Sequence, residues 1–282
     1  MFYFLIELFL TASIIVIIFG CSAARSNESL HDRYIISTNT SNGTQILKAV
    51  VLSNNHTRFA STEKCLVEAG FNDIEIFQAI NIRSNIIDEY CRNLTNDPKR
   101  FKDEKLRKIV SNRISFLNIL TSFRDEPSNI SSENDWRFIF EDDIASFKVH
   151  VRNYPILIYH GMELAKKDGI MSLGTCTPKF YGKSYWYNSI EYRKIVGPCA
   201  HAFGLAKWRT RSFIDEIEKY ENKIKTFDVF DHIVQNIFLN KSDGILLIGI
   251  NLHSPYDLHH RGLFWQDRIT FKSDIGRSKN QI

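Results

Sequence analysis

From residue 46 onward, short apolar runs alternate with longer amphipathic stretches. Residues 46–52 (ILKAVVL) read as a buried strand, and 61–69 as a helix stopped by Gly70. A second strand is expected over 73–80, a helix over 105–123 and a third strand over 136–140 (WRFIF). A helix over about 147–167 and a strand over 170–173 follow. Residues 200–206 read as a strand leading into a charged amphipathic helix that ends near Tyr220. The pattern closes with a helix over 230–239 and a buried strand over 245–250 (ILLIGI). Strands alternating with helices predict an α/β domain whose mostly parallel sheet is flanked by helices. Ligands of such sheets sit beyond the carboxyl ends of the strands.

The first 24 residues break this pattern. They are almost wholly apolar, interrupted only by Glu7, and show no polar face of helical period. About 20 such residues can span a bilayer as a helix. No Lys or Arg precedes the run, and its length favours an uncleaved signal-anchor over a cleaved signal peptide, for which Ala23 and Ala24 would supply the cut. Arg25 lies on the far side of the run, so the charge-bias rule does not orient it. Residues 25–44, rich in Ser, Asn and Thr, read as a stem, and 45–282 as the working domain. The expected topology is a single-pass type II membrane protein with its domain in the lumen.

Glycosylation acceptor triplets agree with that side of the membrane. They begin at Asn27, Asn39, Asn42, Asn55, Asn93, Asn129 and Asn240. Outside the apolar run stand Cys65, Cys91, Cys176 and Cys199, enough for two disulfides in an oxidising compartment or for buried free thiols. Net charge is +4, from 36 basic and 32 acidic residues, so nothing in the charge balance demands a nucleic-acid partner. The C-terminus, KNQI, is not a retrieval signal of the KDEL type, which favours the Golgi over the endoplasmic reticulum.

The candidate chemistry centres on Glu141, Asp142 and Asp143, directly after the apolar strand. Adjacent carboxylates repel one another and are costly to desolvate. At a sheet mouth they suit a hard divalent cation, magnesium or manganese, that also grips a substrate diphosphate. The alternative is a solvated turn that caps the next helix.

The order of motifs from about residue 46 to residue 275 resembles glycosyltransferase family 25, which contains procollagen galactosyltransferases and lipopolysaccharide glycosyltransferases. Val51 and Leu52, with Arg58 six residues later, look like the family's first strand and its arginine. Residues 78–81 (QAIN) resemble an alanine-containing turn, and Ser111 and Asn112 a Ser-His pair whose histidine is here asparagine. FIFEDD matches the signature strand closely. Residues 200–206, Phe230 with Asp231, Gln266, and Ser273, Asp274 and Ile275 are similar to later motifs.

The resemblance implies a GT-A-like domain that binds a nucleotide-sugar donor and a divalent metal such as Mn2+. It places Glu141 and Asp142 near ribose and diphosphate, Arg58 on the donor and Asp143 on the metal. The family inverts the anomeric centre and so needs a general base; Asp231 is the candidate, with Asp228 as substitute. The segment 253–268 is dense in His, Arg and aromatics: His253 is a further candidate metal ligand, Arg261 a candidate diphosphate partner, and Trp265 or Tyr256 a stacking platform. A packed C-terminal tail with surface histidines is the alternative for that segment. The expected function is transfer of a hexose, galactose among the sugars the family's name suggests, from a UDP-sugar to a protein or glycan hydroxyl. The alternative is a non-catalytic lumenal or cell-surface binding protein with the same fold, which the Asn at 112 favours. A metal-dependent phosphohydrolase would need ligands on more strand ends.

Overall fold

A computed structural model describes residues 46–94, 102–147, 151–197, 201–224, 229–241 and 244–271. The predicted apolar segment and stem lie outside these residues. Ile46–Ile282 is one compact unit. Among the described residues no helix is long and apolar enough to cross a membrane.

The strands expected from the apolar runs form: β1 (Lys48–Ser53), β2 (Asp73–Gln78), β3 (Trp136–Glu141), β5 (Ile170–Cys176), β8 (Ala202–Ala206) and β9 (Ile245–Ile248). The expected helices also form, as α1 (His56–Glu68), α3 (Glu104–Asp125), α4 (Tyr154–Leu164), α5 (Lys207–Ile224) and α6 (Phe230–Lys241). Helix α1 starts earlier than its apolar pattern because Asn55 caps it, accepting from the Thr57 and Arg58 amides. Helix α4 is shorter than expected. Pro155 in its first turn favours a helix start there. A short 3-10 turn (Val151–Asn153) precedes it, and ahead of the expected helix lies β4 (Ile144–Ser146), which pairs with β11 (Phe264–Gln266). Not anticipated were α2 (Asn85–Leu94), the hairpin β6 (Lys179–Tyr187) and β7 (Ile190–Val196), and β10 (His260–Gly262).

The main sheet runs β2-β1-β3-β8-β5-β9-β7-β6, with β10 alongside β5. Strands β1, β2 and β3 are mutually parallel, as are β5 and β9, while β8 lies antiparallel between β3 and β5. The sheet is therefore mixed, with β1, β2, β3, β5 and β9 ending at one edge. It is flanked by helices, an α/β arrangement compatible with a GT-A-like fold.

Alternation along the strands sorts the core into two layers. Ala49, Val51, Phe138 and Phe140 face a cluster with Leu66 of α1 and Leu157 of α4. Val50, Leu52 and Ile139 face the other way, against Phe116 of α3, Phe213 of α5 and Phe230 of α6. Phe71 meets Phe138 and Phe140 edge-on, with centroids 5.4 and 5.2 Å apart. The turn after β2 is fixed from α3: Ser115 Oγ accepts from the Ile80 amide at 2.9 Å, and Ser111 Oγ donates to the Ile80 carbonyl.

Cys176 is disulfide-bonded, whereas Cys65 and Cys91 are free. Two disulfides among the four cysteines of the domain are thus not formed. Cys91 is the buried free thiol, and Cys65 is half-buried with its thiol pushed up to about 11, chiefly by lost solvation, beside its hydrogen-bonding neighbour Ser146.

Candidate active site

Strands β1 and β3 are parallel, with Leu52 opposite Glu141, so Ser53 and Glu141 leave the sheet at the same edge. Asp142 and Asp143 follow and are buried, at 8% and 2% exposure. Burying carboxylates requires partners. Ser53 Oγ donates to Asp142 Oδ2 at 2.5 Å. Arg58, in the first turn of α1, reaches Asp142 Oδ1 at 2.9 Å and Asp143 Oδ2 at 3.4 Å. The Asn55 cap that starts α1 therefore also places this guanidinium.

The β4–β11 pair brings in the C-terminal segment. Gln266 lies opposite Ile144, and its Nε2 donates to Glu141 Oε2 at 2.6 Å. The Asp267 amide donates to the Asp143 carbonyl at 2.6 Å. Arg268 then reaches Asp143 Oδ2 at 3.3 Å and donates to Gln266 Oε1 at 2.7 Å. Arg268 was not anticipated from the sequence.

Asp231 enters from α6. Phe230 before it is fully buried and stacks on Phe116, with centroids 4.3 Å apart and planes at 3°. That anchor holds the first turn of α6 at the sheet edge, and Asp231 lies near enough to Glu141 to disfavour its ionisation. Loss of solvation is the larger cause, then Asp231 and Asp143, and together they push Glu141 up to about 8 against the opposing pull of Arg268 and Gln266. These surroundings favour the protonated form of Glu141. An acid whose pKa is raised on folding costs stability as pH climbs from the unfolded value of about 4.5 to about 8, and the cost is complete above that. Glu141→Gln removes the titration while keeping a polar group beside Gln266. It should stabilise the protein on the order of 2–4 kcal/mol at pH 8.5 and little at pH 4.5. Chemical denaturation across this range checks it; a wild type and variant with parallel stability curves would contradict it.

Two histidines flank the acids. His201, immediately before β8, is fully buried, and its carbonyl accepts from the Glu141 amide at 3.0 Å. Burial first, then His260, lowers it to about 3, although its Nε2 lies 3.3 Å from the Phe264 carbonyl. Gly174 makes that approach possible, since a Cβ there would lie 2.2 Å from the Phe264 oxygen and 2.5 Å from His201 Nε2. His260, also lowered chiefly by burial, stacks near His201 with centroids 6.2 Å apart.

Arg58, Glu141, Asp142, Asp143 and Asp231 thus come together, with Gln266 among them. Arg261 and His253 do not join them. Arg261 Nη1 donates to the Ile250 carbonyl at 2.9 Å and lies 3.3 Å from His253 Nε2, and its guanidinium covers the Phe180 ring. The reason is β10, which runs back along β5 with His260 opposite Cys176. Trp265 is buried, with its ring 4.5 Å from that of Phe147, and is no exposed platform. Tyr256 is 70% exposed. Asp228 and Ser273, Asp274 and Ile275 lie outside the described residues.

The carboxylate oxygens have the right chemistry for a hard divalent ion. Their arrangement does not make a preformed centre. Among the described residues no three His, Cys, Asp or Glu side chains are placed to hold a metal. One oxygen of Asp143, the expected ligand, is instead shared by two guanidinium groups.

No family model matches the chain, and no curated protein matches it. Solved structures do. One is a glycosyltransferase involved in the glycosylation of the major capsid of PBCV-1, with 11% identity over 69% of this chain and 74% of the other, at a TM-score of 0.34. Another is the glycosyltransferase GlyE of Streptococcus pneumoniae TIGR4 in its apo form, with 9% identity over 71% of this chain and a TM-score of 0.32. The chain spans only 45% of GlyE. Likenesses this loose establish neither a shared fold nor a shared activity. The resemblance to glycosyltransferase family 25 rests on the motif residues alone.

Proposed function

We propose that the domain is a glycosyltransferase that moves a hexose from a nucleotide-diphosphate sugar of the UDP class to a hydroxyl of a protein or glycan, with inversion. The observation that carries this reading is the convergence of Arg58, Asp142, Asp143, Glu141 and Asp231 at the carboxyl ends of β1 and β3. The acceptor oxygen attacks the anomeric carbon and forms the new glycosidic bond as the bond to the diphosphate breaks. The electron pair of the broken bond leaves on the diphosphate oxygen, and the hydroxyl proton passes to Asp231. Glu141, whose ionisation its surroundings oppose, is held at the strand end by Gln266.

We place this activity in the lumen of the Golgi or endoplasmic reticulum, with residues 1–24 as the anchor. The acceptor triplets support that setting, and so does the bonded state of Cys176, because disulfides persist in oxidising compartments. Asn55 begins one triplet but caps α1 beside Arg58, and a glycan there would crowd the donor; the reading expects Asn55 to be unmodified.

The test is turnover by the full-length protein with a panel of UDP-hexoses and hydroxyl-bearing peptides and glycans. UDP release with a one-hexose mass gain on an acceptor is expected. A folded protein that releases UDP from none of these donors would favour the non-catalytic binding reading.

A further inference from the structure

We propose that Arg268, together with Arg58, grips the donor diphosphate directly and stabilises it as it leaves, in the place where a preformed metal centre was expected. The inference rests on the nucleotide-sugar reading of the same site. Three observations and one chemical argument carry it.

The two guanidinium groups converge on one atom, Asp143 Oδ2, at 3.4 and 3.3 Å. Charge-assisted N–H···O contacts settle at about 2.7–2.9 Å. These contacts are longer than that, so each guanidinium can keep Asp143 as a neighbour while it takes a phosphate oxygen. Arg58 by contrast holds Asp142 at 2.9 Å, so it stays anchored to the cluster on one side while its contact with Asp143 is loose.

Arg268 is open where Asp143 is closed. Its side chain is 33% exposed, against 3% for Asp143. Its two terminal nitrogens meet Asp143 Oδ2 and Gln266 Oε1, and about a third of the side chain remains open to a ligand from solvent. Arginine presents five donors in a planar fork, so a guanidinium can hold a carboxylate and a phosphate oxygen at once.

Its placement is determined by the site. Gln266 accepts from Arg268 through Oε1 and donates to Glu141 through Nε2, so a single amide ties this guanidinium to the acidic strand end. The Asp267 amide on the Asp143 carbonyl pins the intervening turn. The neighbouring imidazoles of His201 and His260 are held neutral by burial, so the arginines supply the positive charge on this side.

Finally, the reaction asks for such a group. As the bond from the anomeric carbon to the diphosphate breaks, negative charge grows on the leaving oxygen. A fixed cation aimed there lowers the barrier as a metal ion would.

The experiment measures UDP and uridine affinity by calorimetry for full-length wild type, Arg268→Gln and Arg268→Lys, each with and without a chelator. Thermal unfolding of each variant establishes that it is folded. Arg268→Gln should weaken UDP about ten- to a hundredfold, the range of a charged hydrogen bond, and leave uridine, which has no phosphate, unchanged. Arg268→Lys should recover part of the loss, because lysine restores the charge but not the fork. UDP should still bind wild type in chelator. The proposal is overturned if Arg268→Gln binds UDP within twofold of wild type, if it loses UDP and uridine equally, or if chelator abolishes wild-type UDP binding. Failure of wild type to bind either ligand would instead overturn the nucleotide-sugar reading, and this inference with it.

Discussion

Asp231→Asn is expected to cut turnover by about 10²–10⁴-fold while changing donor affinity by no more than about twofold. The substitution keeps the size and hydrogen-bonding reach of the side chain while removing its charge and its ability to take a proton. Phe230, stacked on Phe116, holds the first turn of α6 and is untouched, so the geometry should persist. Removing a carboxylate beside Glu141 also eases ionisation of that group, since Asp231 is one of the charges that oppose it. The variant should therefore shift any limb of the pH profile that belongs to Glu141 to lower pH. Single-turnover kinetics and calorimetry separate the two effects. Equal losses in rate and donor affinity would assign Asp231 to binding instead.

The second large effect concerns stability. Arg58→Met should destabilise the protein by about 3–5 kcal/mol at pH 7, because it removes the cation that reaches both Asp142 and Asp143 at a buried strand end. Ser53 satisfies one oxygen of Asp142 but brings no charge. Arg268 remains beside Asp143 and compensates in part. The deficit should shrink as pH falls through the carboxylate range, since a protonated Asp142 no longer needs a cation. A denaturation series from pH 7 to pH 4 checks both the size and the trend. A deficit independent of pH would point to lost packing of the arginine, whose guanidinium lies over the Phe271 ring.

The sequence was most legible where one residue pattern implied both structure and chemistry. WRFIF followed by three carboxylates could be read as a strand running into a site, because an apolar run broken only by Arg137 ends directly on the acidic residues. Arg58 and Asp231 were reached through the family resemblance; neither has a local signal of its own beyond a helix start. Arg268 was out of reach. Its role depends on β11 pairing with β4, a contact that joins Gln266 to Glu141 across 125 residues. No local pattern announces such a pairing, and 144–146 is short enough to be absorbed into a neighbouring helix.

Misplacement of His253 and Arg261 has the same origin. Density of histidine and arginine after a strand suggests a ligand loop. The chain instead turns back as β10 beside β5 and spends Arg261 on the Ile250 carbonyl and the Phe180 ring. The β6–β7 hairpin was hidden for a different reason. Its two-residue turn uses Asn188 and Ser189 at φ 48° and 64°, a left-handed pair usually signalled by glycine in the second position. A bulge at Gly182 also breaks the alternation that would mark β6 as a strand.

The central claim is that the edge formed by β1 and β3 is a nucleotide-sugar site. A crystal structure of the full-length protein with saturating UDP tests it most directly. The account predicts the diphosphate at the carboxyl ends of these strands, within hydrogen-bond reach of Arg58 and Arg268. UDP bound elsewhere on the molecule, with the Arg58 and Asp142 pair undisturbed and no nucleotide beside it, would contradict it.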